Sequence, residues 1–297
     1  MATAAVVARA ARLDLPEQAS LWSDAWRRLR RNRMALIASV YLTFLVGVAL
    51  VSLFYTPYRM SAVGVTGTYA APSAAHLLGA DELGRDILSR LMVGSQVSLV
   101  VGVGTQILVL IVGVPIGLLA GYYRGWLDSL VSFIINIFYG VPDVLVAMIL
   151  VFLLGPSLTN IIIAIVATRW MDMARLVRGQ TLTLREREFV EAGKAAGARP
   201  FKMLFGHILP NALGPIIVQA TLGIPAAILF ESFLSFLGVG VQPPTPSWGS
   251  MANEGVLAIQ YAPHMVIAPS IALSVTLVAF NFLGDGLRDA LDPRSRH

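Results

Sequence analysis

Met34–Tyr55 is a run of 22 residues without a charged side chain. As a helix rising 1.5 Å per residue it would reach about 33 Å, the depth of a bilayer's hydrocarbon core. Further apolar stretches occupy Val97–Ala120, residues 130–154, Thr159 to Trp170, residues 213–232 and residues 264–284. Charged residues make up only 13% of the chain, against roughly a quarter in a soluble domain. These runs predict an all-α membrane protein with six transmembrane helices. Gly140-Val141-Pro142-Asp143 interrupts the third crossing, and the fourth is the shortest. The first run starts too late and is too long for a cleaved signal peptide.

Lys and Arg orient the chain, because cytoplasmic loops hold them in excess. With both termini cytoplasmic, 19 of the 22 basic residues fall inside, and only Arg59, Arg85 and Arg90 fall outside. The expected organisation is a cytoplasmic tail with an interfacial helix (1–33), a first span (34–55) and an extracytoplasmic loop with a short helix (56–96). A transmembrane core (97–284) holds a cytoplasmic hairpin at 183–210, and a cytoplasmic tail (285–297) follows. In the first segment Leu21, Trp22, Ala25, Trp26 and Leu29 share one helical face, which suits a helix lying at headgroup depth. In the outer loop Asp81–Leu91 reads as a helix capped by Asp81, with Leu83, Ile87 and Leu91 on one stripe. Three prolines within 243–246 exclude regular helix there.

The net charge of +5 does not point to nucleic acid, since the basic residues lie between apolar runs with no aromatic interleaving. Cysteine is absent, which removes disulfides, thiolate chemistry and Cys-bound zinc. His76, His207, His264 and His297 are scattered without metal-ligand spacing, so a membrane protease or acyltransferase lacks its constellation. A secondary transporter working alone would be expected to show internal repeats, and none is convincing. Gly113, Gly117 and Gly121 recur every fourth residue. Such a stripe lets helices approach closely in lipid, either within this chain or against a partner subunit.

The segment that breaks the apolar pattern is Glu191-Ala192-Gly193-Lys194-Ala195-Ala196-Gly197, followed by Ile208-Leu209-Pro210-Asn211. Thr183-Leu184-Arg185-Glu186 matches a capping box that would start its first helix. Arg187 and Glu191 stand at i, i+4 and are able to pair. Gly197 is placed to stop that helix in the left-handed region, and Pro200 to begin a second. Pro210 biases Leu209 away from helix and marks re-entry into the membrane. A hairpin resting on lipid would carry bulky apolar groups throughout. This one is small-residued and flanked by Glu191 and Lys194, which favours a docking surface for a soluble protein.

These residues resemble the EAA loop of binding-protein-dependent ABC importer permeases, E-A-A-x3-G-x9-I-x-L-P. Glu191, Ala192, Gly197, Leu209 and Pro210 match, Gly193 replaces the second Ala, and His207 occupies the Ile position. Leu78-Gly79-Ala80-Asp81-Glu82-Leu83-Gly84-Arg85-Asp86-Ile87-Leu88-Ser89-Arg90 resembles a segment of the C-type subunit of dipeptide and oligopeptide permeases. So do Leu234 to Pro244, Gly284 to Pro293 and Trp26 to Arg33. The resemblance implies a type I importer permease fold. It also implies a homologous B-type permease partner, two ATP-binding subunits and an extracytoplasmic substrate-binding protein. The chain has no G-x-x-x-x-G-K-[ST] loop, so the implied ATP-Mg belongs to the partner ATPase subunits and this chain is expected to bind no cofactor or metal. Glu191, Ala192, Gly193, Gly197, Leu209 and Pro210 would form the coupling hairpin.

Asp143 and Glu231 are the ionisable residues closest to membrane depth, where such groups usually face an interior or a water-filled route. With Gln219 they are candidates for the translocation path or a gate; Thr221 and Asn281 are further polar residues in the spans. Each also has a plain structural reading: an interfacial carboxylate, a helix-break group satisfied by backbone N–H, or a helix–helix hydrogen bond. Importers of nickel chelates, glutathione and haem share this permease type, and in the family the binding protein sets much of the selectivity.

Overall fold

The computed structural model describes residues 26–291. Its helices are α1 (Arg33–Val51), α2 (Ile87–Tyr123), α3 (Gly125–Tyr139), α4 (Asp143–Leu154), α5 (Leu158–Leu184), α6 (Glu188–Ala195) and α7 (Pro200–Met203). A π-turn (Leu204–Ile208) leads into α8 (Leu209–Phe236), followed by α9 (Trp248–Leu257) and α10 (His264–Leu291). Leu21, Trp22 and Ala25 of the expected interfacial face, and Arg294 and Arg296 of the tail, lie outside the described residues.

Among the described residues four helical stretches are long and apolar enough to cross a membrane: α1, α2, Pro200–Phe236 and α10. The pair α3 and α4, bent by 89° at the Gly140–Pro142 break, makes a fifth. The segment expected as the fourth crossing, Thr159–Trp170, is the apolar first half of α5. The same helix continues to Leu184 and carries Arg169, Asp172, Arg175 and Arg178 at every third position. That helix is therefore amphipathic along its length, and its charges face other parts of the chain.

Helix α1 shows how the bundle sorts its faces. Ala35, Ala38, Leu42, Leu45 and Ala49 are buried, whereas Ile37, Val40 and Phe44 are exposed. The small buried face packs on α10, where a Cβ at Gly286 would sit 2.5 Å from that of Ala35. The bulky opposite face suits lipid, where close packing rather than apolar burial holds helices together. The Tyr41 and Thr276 hydroxyls add a hydrogen bond of 2.9 Å across the pair.

Helix α2 is longer than the sequence suggests. Its 37 residues span about 55 Å at 1.5 Å per residue, well beyond the hydrocarbon core. It begins at Ile87, with Asp86 as the N-cap accepting from the Ser89 N–H at 2.8 Å. The expected helix from Asp81 therefore does not form. Gly84 has φ +68, and a Cβ there would lie 2.4 Å from the Thr66 carbonyl oxygen, so the chain turns tightly against the 64–66 loop before the helix starts.

The glycine stripe of α2 packs within the chain. A Cβ at Gly113 would meet the Trp170 carbonyl at 2.8 Å, one at Gly117 the Ala174 carbonyl at 2.5 Å, and one at Gly121 the Arg178 carbonyl at 2.8 Å. All three carbonyls belong to α5, so the stripe lets α2 and α5 pack backbone against backbone. Beyond the prolines of the outer loop, Ser247 and Ser250 form a capping box that starts α9. Trp248 at its head is buried and donates Nε1–H to the Leu91 carbonyl at 3.1 Å, tying this helix to the start of α2.

Candidate functional site

The polar hairpin is built on an apolar anchor. Val190 of α6, Met203 of α7, Leu204 and Ile208 of the π-turn and Ala212 of α8 are buried together with Met173 and Val177 of α5. Gly193 faces α7, where an added Cβ would come within 2.5 Å of Met203 Cε, the flexible end of that side chain. Gly197 adopts φ +77. Its N–H donates to the Lys194 carbonyl at 2.9 Å and the Ala198 N–H to the Gly193 carbonyl at 3.0 Å, the paired bonds of a Schellman stop. Pro200 then occupies the first turn of α7.

Two local expectations differ. Thr183 does not begin the hairpin: α5 runs on to Leu184, and the Thr183 hydroxyl donates to the Gly179 carbonyl of the preceding turn at 3.1 Å. Helix α6 begins at Glu188 after an extended Arg187 with no side-chain cap. Pro210 does not pull Leu209 out of helix either. The π-turn lets the Leu209 N–H reach back five residues to Leu204, which makes room for a ring that would clash with a regular α-helical turn. The Asn211 amide donates to the His207 carbonyl at 2.7 Å and takes up an acceptor at the irregular turn.

The outward face of the hairpin is Glu191, Ala192, Lys194, Ala195, Ala196 and Gly197, all exposed. Among the described residues neither Glu191 nor Lys194 takes part in a salt bridge, and Glu191 and Arg187 share only a backbone hydrogen bond of 3.3 Å. The surface presents two free opposite charges around a smooth, small-residue face.

A second polar region lies in the body of the bundle. The break between α3 and α4 places Asp143 beside Arg169 of α5, with Oδ2 accepting from Nη2 at 2.9 Å. The Arg169 guanidinium stacks over Phe230 of α8, 5.1 Å from its centroid. Farther along α5, Asp172 accepts from the Tyr139 hydroxyl, Arg175 donates to Asn136 at 3.1 Å, and Arg178 holds Asp128. This ladder fastens both halves of the bent pair to α5. Next to it, Thr105, Gln106, Arg169, Asp172, Gln219 and Gly223 help line a cavity of about 120 Å³ between α2, α5 and α8. Gln219 and Asp143 therefore lie close to one site. Arg169, counted from the sequence with the cytoplasmic loop, is its central cation.

Glu231 is elsewhere. It is completely buried, and its carboxylate accepts from the Ser235 hydroxyl at 2.6 Å and the Ser232 hydroxyl at 3.4 Å. Ser235 in turn accepts from the Val241 N–H at 3.2 Å, so Glu231 braces the turn after α8 and does not line the cavity.

The segment Leu78–Arg90 forms a buried ion cluster. Arg85 Nε donates to Asp81 Oδ2 at 2.6 Å, Arg90 also contacts Asp81, and Arg90 Nη1 and Nη2 grip Glu254 of α9. His76 Nδ1 lies 3.0 Å from Asp86 Oδ1. Nothing in the sequence linked Glu254 to this segment, because 164 residues separate it from Arg90. Among the described residues no group of three or more His, Asp or Glu side chains is arranged to hold a metal ion.

Comparison with known proteins agrees with this architecture. Residues 113–297 match the family model described as binding-protein-dependent transport system inner membrane component. Residues 20–72 match the N-terminal transmembrane domain of oligopeptide transport permease C. The chain is 45% identical over 279 residues to the dipeptide transport system permease protein DppC of Bacillus subtilis, covering 93% of this chain and 87% of that protein. It is 39% identical over 274 residues to the glutathione transport system permease protein GsiD of Pectobacterium atrosepticum, with coverages of 92% and 91%. The solved inward-facing MetNI methionine ABC transporter has the same fold, with a TM-score of 0.58 at 21% identity over 69% of this chain and 98% of that one. The chain thus belongs to the inner-membrane permease components of binding-protein-dependent ABC importers, within the dipeptide and oligopeptide permease branch.

Proposed function

We propose that this chain forms half of the translocation path of an ATP-driven dipeptide or oligopeptide importer, crossing a bacterial inner membrane six times with both termini in the cytoplasm. A homologous B-type permease forms the other half, two ATPase subunits carrying ATP-Mg dock from the cytoplasm, and a substrate-binding protein delivers peptide from outside. The observation that carries this reading is the hairpin. Its small-residue face, with Glu191 and Lys194 unpaired, stands on the anchor of Val190, Met203 and Ile208. A rigid base with a smooth exposed tip is what a lever needs to enter a cleft of a soluble subunit and pass its motion to α5 and α8. Ala192, Gly193 and Gly197 keep the tip low, and Leu209-Pro210 joins it to α8. Asp143 and Gln219 border the path.

The test is affinity isolation of the tagged chain from a membrane extract. The wild type is expected to bring a second permease and an ATPase, and Glu191→Arg to keep the permease while losing the ATPase. Isolation of the wild-type chain alone, or full ATPase retention by the variant, overturns the reading.

A further inference from the structure

Two residues that line the same cavity, Arg169 and Thr105, each carry a buried polar atom without a hydrogen-bond partner, Nε and Oγ1. Such orphans are uncommon, because an unmade hydrogen bond in the interior is costly. The two other amide-bearing residues of the lining, Gln106 and Gln219, also form no side-chain hydrogen bond among the described residues. Gln106 is nonetheless accommodated with care. A Cβ at Gly223 would lie 2.0 Å from its Oε1, so glycine at that position is what lets the amide stand in the cavity.

The charge pattern is selective. Asp143 occupies only Nη2 of Arg169, at 2.9 Å, and Asp172 stays 4.0 Å from Nη1, beyond hydrogen-bond reach. The guanidinium therefore keeps Nη1 without a hydrogen bond, free for another acceptor. A guanidinium matches a carboxylate better than any other anion of the main chain. Arg169 lies about 16 Å along α5 from Leu158, at 1.5 Å per residue, within a helix that packs in the bundle core. An ionisable group in a membrane helix usually faces an interior or a water-filled route, and the Arg169 side chain is a third exposed.

We propose that Arg169, with Thr105, Gln106 and Gln219, forms a subsite that receives the carboxylate terminus and last amide of the peptide as it passes through the membrane. A cavity of about 120 Å³ takes one terminal group, not a whole peptide, since sites for complete small ligands run to roughly 300–1,000 Å³. The remainder of the cargo lies beyond the half-exposed edge formed by Asp143 and Asp172. Free termini are captured this way by arrays of main-chain donors and cations in other proteins. The proposal rests on the peptide-importer reading and adds the residues that touch the cargo.

The experiment uses the complete transporter in proteoliposomes, with peptide-loaded binding protein outside, and measures both uptake and ATP hydrolysis. Thr105→Val and Gln219→Leu leave the Asp143–Arg169 pair intact, and Arg169→Gln removes the cation. Losing one charge-assisted hydrogen bond corresponds to roughly a tenfold or greater effect. Arg169→Gln is therefore expected to lower uptake at least tenfold, with ATP hydrolysis and assembly retained. Thr105→Val and Gln219→Leu should each lower it severalfold, and Arg169→Lys should recover part of the loss. Wild-type uptake in Thr105→Val and Gln219→Leu overturns the subsite, as does a parallel fall of ATP hydrolysis and uptake in all variants, which would mean a structural role. No peptide uptake by the wild type would instead refute the parent reading.

Discussion

Arg90 and Glu254 meet as a two-pronged pair, Nη1 to Oε2 at 2.7 Å and Nη2 to Oε1 at 3.1 Å. The pair joins the first turn of α2 to α9, 164 residues apart in the sequence. Asp81 and Arg85 complete the cluster. The 64–90 segment is thereby a folded layer tied by charge to the longest helix, not a loose loop.

That pair is expected to matter most when one member is removed. Arg90 is 3% exposed, and deleting one partner of a buried ion pair costs about 3–5 kcal/mol, because the other charge is stranded. Arg90→Met leaves Asp81 and Glu254 with Arg85 as their one remaining cation and should lower the unfolding temperature of the purified protein in detergent. Glu254→Gln, which keeps an acceptor, should lower it less. Thermal melts of the two variants check the order, and wild-type melting of Arg90→Met would contradict it.

Gly117 lets α2 lie close against α5, with the Ala174 carbonyl oxygen 2.5 Å from any added Cβ. Backbone cannot yield as a side chain can, so Gly117→Ala should destabilise by about 1–3 kcal/mol, the usual range for overpacking. Gly104→Ala on the same helix, with only Ile162 Cδ1 within 4 Å at 3.8 Å, should be tolerated. A comparative melt of the two variants is the measurement.

Gly193 and Gly197 are expected to behave oppositely. At Gly193 an added methyl group meets only the flexible end of Met203, so Gly193→Ala should assemble and transport like the wild type. At Gly197 there is open space but φ is +77, a region that costs other residues about 1–2 kcal/mol. Gly197→Val should loosen the turn and reduce coupling, and Gly197→Asn should retain more of it. The ratio of uptake to ATP hydrolysis reads both.

What the sequence reveals here follows from how local its rules are. The Gly197 stop, the Pro200 start and the apolar faces of α1 and α10 depend on neighbours within a turn or two, and they read directly. Pro210 misleads because a π-turn absorbs its ring, which depends on how the hairpin packs and not on the two residues beside it. Asp81 looks like a cap because its spacing fits one. Its actual partners are Arg85 and Arg90, and the tight turn at Gly84 forbids the helix. Arg169 reads as one of the cytoplasmic basic residues, since nothing within α5 shows that Asp143 stands opposite it.

The central claim is that the hairpin of this chain couples ATP hydrolysis to peptide movement. Its most direct test is uptake of a labelled dipeptide into proteoliposomes containing both permeases and the ATPase subunits, with binding protein and ATP, for wild type and Glu191→Arg. The account predicts ATP-dependent uptake by the wild type and its loss in the variant, with the 64–90 segment and membrane core still folded. Uptake that needs no ATP, or equal coupled uptake by Glu191→Arg, would contradict it.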